Sequence, residues 1–343
     1  KAALTKSFIN GETASLTLSE AVTNAPVVSA TKEVPQTGVT SNKWSVGVDG
    51  EKFSVQNFAP SGVGVTIDEA VKGYSLDTAT YDSVSFSVAG QDGSPFGIAF
   101  NPGGTKMFMM GDNTDSVYQY SLTTGFDLTT ASYDSVSFDV SGQDSNPTGI
   151  AFNYEGTKMF MVGDVNDLVY QYTLTTGYDL STASYDSVSF DVSGQDTGPI
   201  GIAFNLDGTK MFMAGNSTDS VYQYTLTTNY DLTTASYDSV SFDVSGQDNK
   251  PYDIAFNPDG TKMFMMGDSG NSIYQYSLTT GYDLTTASYD SVSFGVGGQD
   301  GTPVGIAFNS DGTKMFIMGL GSSSVYQYTT RRLYNGAFLS SGN

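Results

Sequence analysis

A five-bladed β-propeller is the all-β fold this sequence predicts, and three observations predict it. The phrase YDSVSF begins at Tyr81, Tyr133, Tyr185, Tyr237 and Tyr289, and IAFN at Ile98, Ile150, Ile202, Ile254 and Ile306, so one unit recurs every 52 residues. A period of that length is the signature of a repeat architecture, in which each unit is one supersecondary element. Within a unit, four short runs rich in β-branched and aromatic residues are parted by turn residues, which is the strand count of a propeller blade. The order of the runs closes the ring. The first unit opens with an outermost strand, Tyr81 to Val88, while the last ends after its third strand, Ser324 to Thr329. The early strand is therefore expected to complete the last blade, leaving few free edges.

Taken in order, residues 1–72 lie outside the repeat. They carry β-prone runs at Ala14 to Ser19, Ala25 to Thr31, Trp44 to Val48 and Lys52 to Phe58, with Asp49-Gly50 as a hairpin turn between the last two. A small β-rich attachment segment is expected here, anchored by Trp44, followed by the propeller over 73–330 and a tail over 331–343. Gly73 to Thr80 (GYSLDTAT) echoes the connection between third and fourth strands. In a representative unit the strands fall at Gly201 to Asn205, Thr209 to Met213, Asp219 to Leu226 and Tyr237 to Val244. Asn257-Pro258-Asp259-Gly260 supplies the turn between the first two strands, with Gly at the positive-φ position. Met263-Phe264-Met265-Met266 is apolar on both faces, as suits a strand sandwiched between blades. Its methionines, like Met107, Met109 and Met110, are expected to fill the gaps between blades.

The composition is 38% hydrophobic with 15% charged residues, as expected of a folded chain, and the net charge is −22. That charge argues against nucleic acid and anionic lipid surfaces, both of which favour basic partners, and no apolar run of membrane-spanning length appears. It favours cationic partners or metal ions. With no His and no Cys, Ser-His-Asp catalysis, thiolate chemistry and the usual zinc ligands are excluded. A pair of carboxylates could run glycoside hydrolysis. Nearly every acid, however, recurs in all the repeats, which gives rings of equivalent groups, not one asymmetric centre. No enzyme activity and no resident cofactor are expected, with calcium the one ion to be considered.

Repeats such as that with GIAFNPGGTKMF and VYQYSL resemble propeller repeats of phage virion, tail-associated and bacterial surface proteins. The closure resembles that of WD-repeat propellers and the blade number that of the tachylectin lectins, without the signatures of either family. The resemblance runs from Gly73 to Thr330. It implies an extracellular or virion-surface binding module that recognises a surface glycan or protein receptor and attaches to other subunits through residues 1–72. A purely structural decoration or spacer role is the alternative, and a carboxylate-dependent glycosidase a further one.

Two polar patterns are candidate contacts. Gly-Gln-Asp recurs as Gln91-Asp92, Gln143-Asp144, Gln195-Asp196, Gln247-Asp248 and Gln299-Asp300, between an outer strand and the next inner strand. These residues could line a ligand ring, or satisfy backbone donors in a tight turn. Acids three apart between the second and third strands, Asp112 and Asp115, Asp164 and Asp167, then Asp219 and Asp268 singly, offer oxygen ligands of the kind calcium takes, though two carboxylates supply too few. Alternate connections of a four-stranded blade fall on opposite faces of the disc, so both patterns share one face. The repeats differ mostly there, through GSPF, SNPT, TGPI, NKPY and GTPV. Phe96 belongs to this variable set, and blade four stands out through Lys250, Tyr252 and Asp253, where Asp replaces the Gly of the other blades. Tyr118-Gln119-Tyr120 and its copies are expected to pack between blades instead of stacking sugars.

Overall fold

The structure is a computed structural model and describes residues 43–46, 53–56 and 73–330. The chain divides into two compact units, residues 1–72 with 332–343 and residues 73–331. Of the first, β1 (Lys43–Val46) and β2 (Phe53–Gln56) pair antiparallel, with Val46 opposite Phe53. The β-prone runs expected over 14–19 and 25–31 lie outside the described residues, as does the tail.

The second unit is the propeller. Its closing strand comes first, β3 (Thr80–Ser87). Blade one follows as β4 (Pro95–Phe100), β5 (Lys106–Gly111), β6 (Ser116–Leu122) and β7 (Ala131–Asp139). Blade two is β8 (Pro147–Phe152), β9 (Lys158–Gly163), β10 (Leu168–Leu174) and β11 (Ala183–Asp191). Blade three is β12 (Pro199–Phe204), β13 (Lys210–Gly215), β14 (Ser220–Leu226) and β15 (Ala235–Asp243). Blade four is β16 (Pro251–Phe256), β17 (Lys262–Gly267), β18 (Ser272–Leu278) and β19 (Ala287–Gly295). Blade five has only β20 (Pro303–Phe308), β21 (Lys314–Gly319) and β22 (Ser324–Thr329) of its own. Its fourth strand is β3, which pairs antiparallel with β22. The closure expected from strand order is therefore present, and all five sheets have four antiparallel strands.

Burial explains the strand chemistry. The second strand of each blade is covered on both faces, and Met107, Phe108, Met109 and Met110 are all fully buried. At each blade boundary a phenylalanine of one second strand meets one of the next inner strand: Phe108 with Phe152, Phe160 with Phe204, Phe212 with Phe256, Phe264 with Phe308, and Phe316 back to Phe100. Their centroids are 4.4–4.7 Å apart. Offset rings at such spacings stabilise beyond the area they bury. Because the fifth pair matches the other four, the ring closes without a weak seam in its core.

The outer strands carry a device that their repeated sequence encodes. In β7, Tyr133 faces Tyr120 and Val136 faces Gln119, so Asp134 and Ser135 bulge from the ladder, with Ser135 at φ 59°. The bulge re-aims the acid. Asp134 accepts from Lys106 Nζ at 2.6 Å and from Gln119 Nε2 at 2.8 Å. The Gln119 carbonyl then accepts from Leu180 N of blade two at 2.9 Å. The same Lys-Asp-Gln linkage recurs with Asp186, Asp238, Asp290 and, across the closure, Asp82 bound by Lys314 and Gln327. Burial works against these carboxylates, but the hydrogen bonds from lysine, glutamine and neighbouring hydroxyls outweigh it. They are held below the usual carboxylate range.

Candidate binding face

Antiparallel alternation puts the β4–β5 and β6–β7 type connections on one face of the disc and the β5–β6 turns with the blade-to-blade loops on the other. The second face carries the Gly-Gln-Asp loops, and the structure places their acids inward. Asp92 accepts from Ser94 N at 2.7 Å, Asn113 N at 3.4 Å and Thr114 N at 3.0 Å. Asp144, Asp196, Asp248 and Asp300 repeat that set of three backbone donors. None of the five is more than 5% exposed. A carboxylate receiving three N–H bonds in a buried turn is a structural group with little left for a ligand. The end of the second strand is Gly for the same reason, since a Cβ at Gly111 would meet Asp92 Oδ2 at 2.5 Å.

The glutamines bind inward too. The Gln91 carbonyl accepts from the Tyr120 hydroxyl at 3.3 Å, and Gln143, Gln195, Gln247 and Gln299 take Tyr172, Tyr224, Tyr276 and Tyr328 in the same way. These tyrosines are fully buried, and burial pushes their hydroxyls far above their usual pKa. The Gln-Asp ring thus fastens loop to turn and caps buried phenols.

The acidic turns separate into two roles. Asp115, Asp167 and Asp219 occupy the left-handed region at φ 49°, 52° and 53°, which Asp and Asn tolerate better than most residues. Asn271 and Ser323 hold that conformation in blades four and five. Their carbonyls tether the residue after the outer strand, as Asp115 O does Val140 N at 2.8 Å. The first acids, Asp112, Asp164 and Asp268, do not join them in a ligand set: among the described residues no three acidic side chains come together to hold a metal ion.

Asp112, Asp164 and Asp268 belong instead to a ring of paired positions. The backbone N–H of Asp112, Asp164, Asn216, Asp268 and Leu320 donates to the carbonyl of Ser94, Asn146, Gly198, Lys250 and Thr302 respectively, at 2.9–3.1 Å. On this uniform frame the side chains differ in every blade. Ser94 Oγ donates to Asp112 at 3.3 Å, Asn146 Nδ2 to Asp164 at 2.9 Å, and Lys250 Nζ lies 3.5 Å from Asp268. Burial, reinforced by neighbouring carboxylates, raises Asp112 and Asp164 above the ordinary range.

At the second residue of each inner strand, blades two, three and five place Thr148, Ile200 and Val304, all buried. Blades one and four place Phe96 and Tyr252, half-buried, with ring centroids 6.3 Å apart. Those blades are not neighbours, so the two rings meet over Val304 of the blade between them. The Tyr252 hydroxyl is raised first by burial and then by Asp268 and, from blade two, Asp164, with Lys250 opposing. Phe96, Tyr252 and Lys250 keep solvent-facing surface here, as do the half-buried glutamines of the Gly-Gln-Asp loops. Asp253 does not reach the face at all; it is buried in the wall of the axis.

Sequence reasoning did not single out the Lys-Asp-Gln linkages of the opposite face. The signal was available, since all six lysines of the propeller are paired and five of them recur with the repeat. Nor did it find the aromatic at φ 55–59° in each connection, Tyr74, Phe126, Tyr178, Tyr230 and Tyr282, whose ring covers the turn glycine.

No family model matches the chain, and no curated protein matches it. Among solved structures, it is similar to a functionally unknown protein from Desulfotomaculum acetoxidans, at 15% identity and TM-score 0.42, covering 66% of this chain and 62% of that one. The β-propeller domain of Cps50 (Swd1) from Myceliophteria thermophila is 10% identical with TM-score 0.43, covering 72% and 99%. A luciferin-regenerating enzyme is 12% identical with TM-score 0.46, covering 74% and 98%. The chain thus spans less than two thirds of the first of these proteins.

Proposed function

We propose that the protein is a non-enzymatic binding module of a cell or virion surface, and that its ligand, a surface glycan or protein receptor, is met at the axial mouth of the Gln-Asp face. One observation carries this reading. A frame repeated almost without change carries different side chains in every blade around this mouth, and there it sets Phe96 against Tyr252, whose hydroxyl feels Asp268, Lys250 and Asp164. Variable polar groups around a half-buried aromatic pair on rigid strands suit recognition, in which the scaffold holds the loops still and the side chains choose the ligand. Residues 1–72 would supply the attachment.

The test is a glycan-array screen of the intact chain and of Phe96→Ala/Tyr252→Ala, with and without calcium. Binding by the wild type that the double variant loses supports the mouth as the site. Binding that the variant keeps moves the site elsewhere, and silence on the array from the folded chain, together with no capture of receptor-bearing cells, favours a decoration or spacer role.

A further inference from the structure

The inner strands approach one another so closely at their third residue that four blades admit only Gly. A Cβ on Gly97 would sit 2.8 Å from Thr148 O and 3.0 Å from Ile150 N, and one on Gly305 2.7 Å from Phe96 O. Blade four has Asp253 at this position. Its Oδ1 accepts from Ile254 N at 2.8 Å and its Oδ2 from Ile306 N of blade five at 2.9 Å. The ladder explains why those donors are available. Asn257 N donates to Lys262 O, so alternate residues of β16 bond to β17, and the N–H of Ile254 points to the free inner edge. The equivalent N–H of Ile306 in β20 points the same way.

We propose that Asp253 is a proton-operated latch across the seam between blades four and five, beneath the Tyr252–Phe96 pair. Ionised, the carboxylate holds an N–H of each blade. Protonated, one of those oxygens becomes a hydroxyl, a poorer acceptor, so one of the two bonds weakens as the charge is lost. Burial pushes the Asp253 carboxyl up to about 7, against the two backbone hydrogen bonds that favour its anion, and no charged neighbour contributes. The surroundings agree. β12 (PIGIAF) and β20 (PVGIAF) carry no ionisable side chain. On β17 the one charge is Lys262, engaged at the far end by Asp290. On β16 the other titratable group is Tyr252, whose charged neighbours are Asp268, Lys250 and Asp164. The chain has no histidine, so a side-chain transition near neutral pH is readily assigned.

The sign follows from linkage. The folded pKa lies above the unfolded value, so the folded state holds the extra proton between about pH 4 and 7, and stability falls as pH rises through that window. The experiment is a set of thermal melts on the full chain from pH 5 to 8, for the wild type, Asp253→Asn and Asp253→Gly, the last restoring the residue of the other blades. The wild-type midpoint is expected to fall by roughly 5 °C across the range, with both variants flat over it. Exchange of the Ile306 amide, corrected for its intrinsic rate, is expected to change with a midpoint near 7 in the wild type alone. A slope shared by whichever variant folds, or an Ile306 amide indifferent to pH, overturns the latch.

Discussion

The two faces of the propeller are built from the same repeat and do opposite things with it. On the face of the β4–β5 type turns, each blade repeats the Lys-Asp-Gln linkage and an aromatic ring laid over a turn glycine. On the other, the Gln-Asp locks repeat but the side chains mounted on them do not. The uniform Asp carboxylates there are buried and bonded to backbone, whereas the variable positions divide: Thr148, Ile200 and Val304 are buried, while Phe96, Tyr252 and Lys250 keep contact with solvent. The contrast teaches that fivefold repetition marks what holds the ring, and that departures from it are where a ligand can be chosen.

The largest expected effect is on the uniform face. Gly208 sits at φ 70° under the Tyr230 ring, so Gly208→Val combines a forbidden backbone for a β-branched residue with overpacking. It is expected to cost roughly 3 kcal/mol by urea unfolding. Gly194, in a Gly-Gln-Asp loop with nothing within 4 Å of a Cβ, should accept Ala within about 0.5 kcal/mol. Equal losses at the two sites would erase the distinction between the faces.

Next in size is the closure. Asp82→Ala removes the acceptor of Lys314 and Gln327 and leaves Lys314 with Thr329 alone and Gln327 Nε2 without its carboxylate, an expected loss of about 2 kcal/mol. Asp186→Ala in blade two breaks the same linkage inside a covalently continuous blade. Hydrogen exchange should show Asp82→Ala opening β3 and β22 selectively; matched, uniform effects would mean that the closing strand is no special case. Acid should act on all five linkages together. Their carboxyls lie below the unfolded value of 3.8, so their contribution is present above that pH and is lost as pH falls through the depressed folded values. Asp186→Asn should flatten that part of the acid-unfolding curve by one group's share.

Blade number, strand order and the closing strand were legible in the sequence because period and pattern act at the level of the backbone. The role of YDSVSF was not. An Asp directly after a Tyr reads as a polar outer position, and only the bulge at Asp134 and Ser135 shows why it turns back to Lys106. The Gln-Asp motif was ambiguous for a related reason: a carboxylate that binds a ligand and one that binds three backbone N–H groups look alike until the facing turn is placed. Asp253 was noticed as a break in symmetry, but whether it faced solvent or the axis depended on how near the next inner strand lies. Phe96 and Tyr252 were legible as variable positions, while their meeting across Val304 follows from closing the ring.

The smallest expected effect on stability tests the other half of the comparison. Lys250 is the one propeller lysine outside the repeated linkages, and its side chain is 52% exposed, 3.5 Å from Asp268. An exposed pair at that distance contributes at most about 0.5 kcal/mol, so Lys250→Ala should leave the melting midpoint almost unchanged. If the variable face makes the contact, the same change should still alter affinity, because removing this lysine leaves the axial mouth uniformly acidic. Cationic ligands should then bind more tightly and anionic ones more weakly, with the difference shrinking as salt screens the charges. Calorimetric titrations at two ionic strengths read this directly. A Lys250→Ala protein that binds every ligand as the wild type does would move the contact away from blade four, while Asp186→Asn, in a linkage of the opposite face, supplies the unaffected reference.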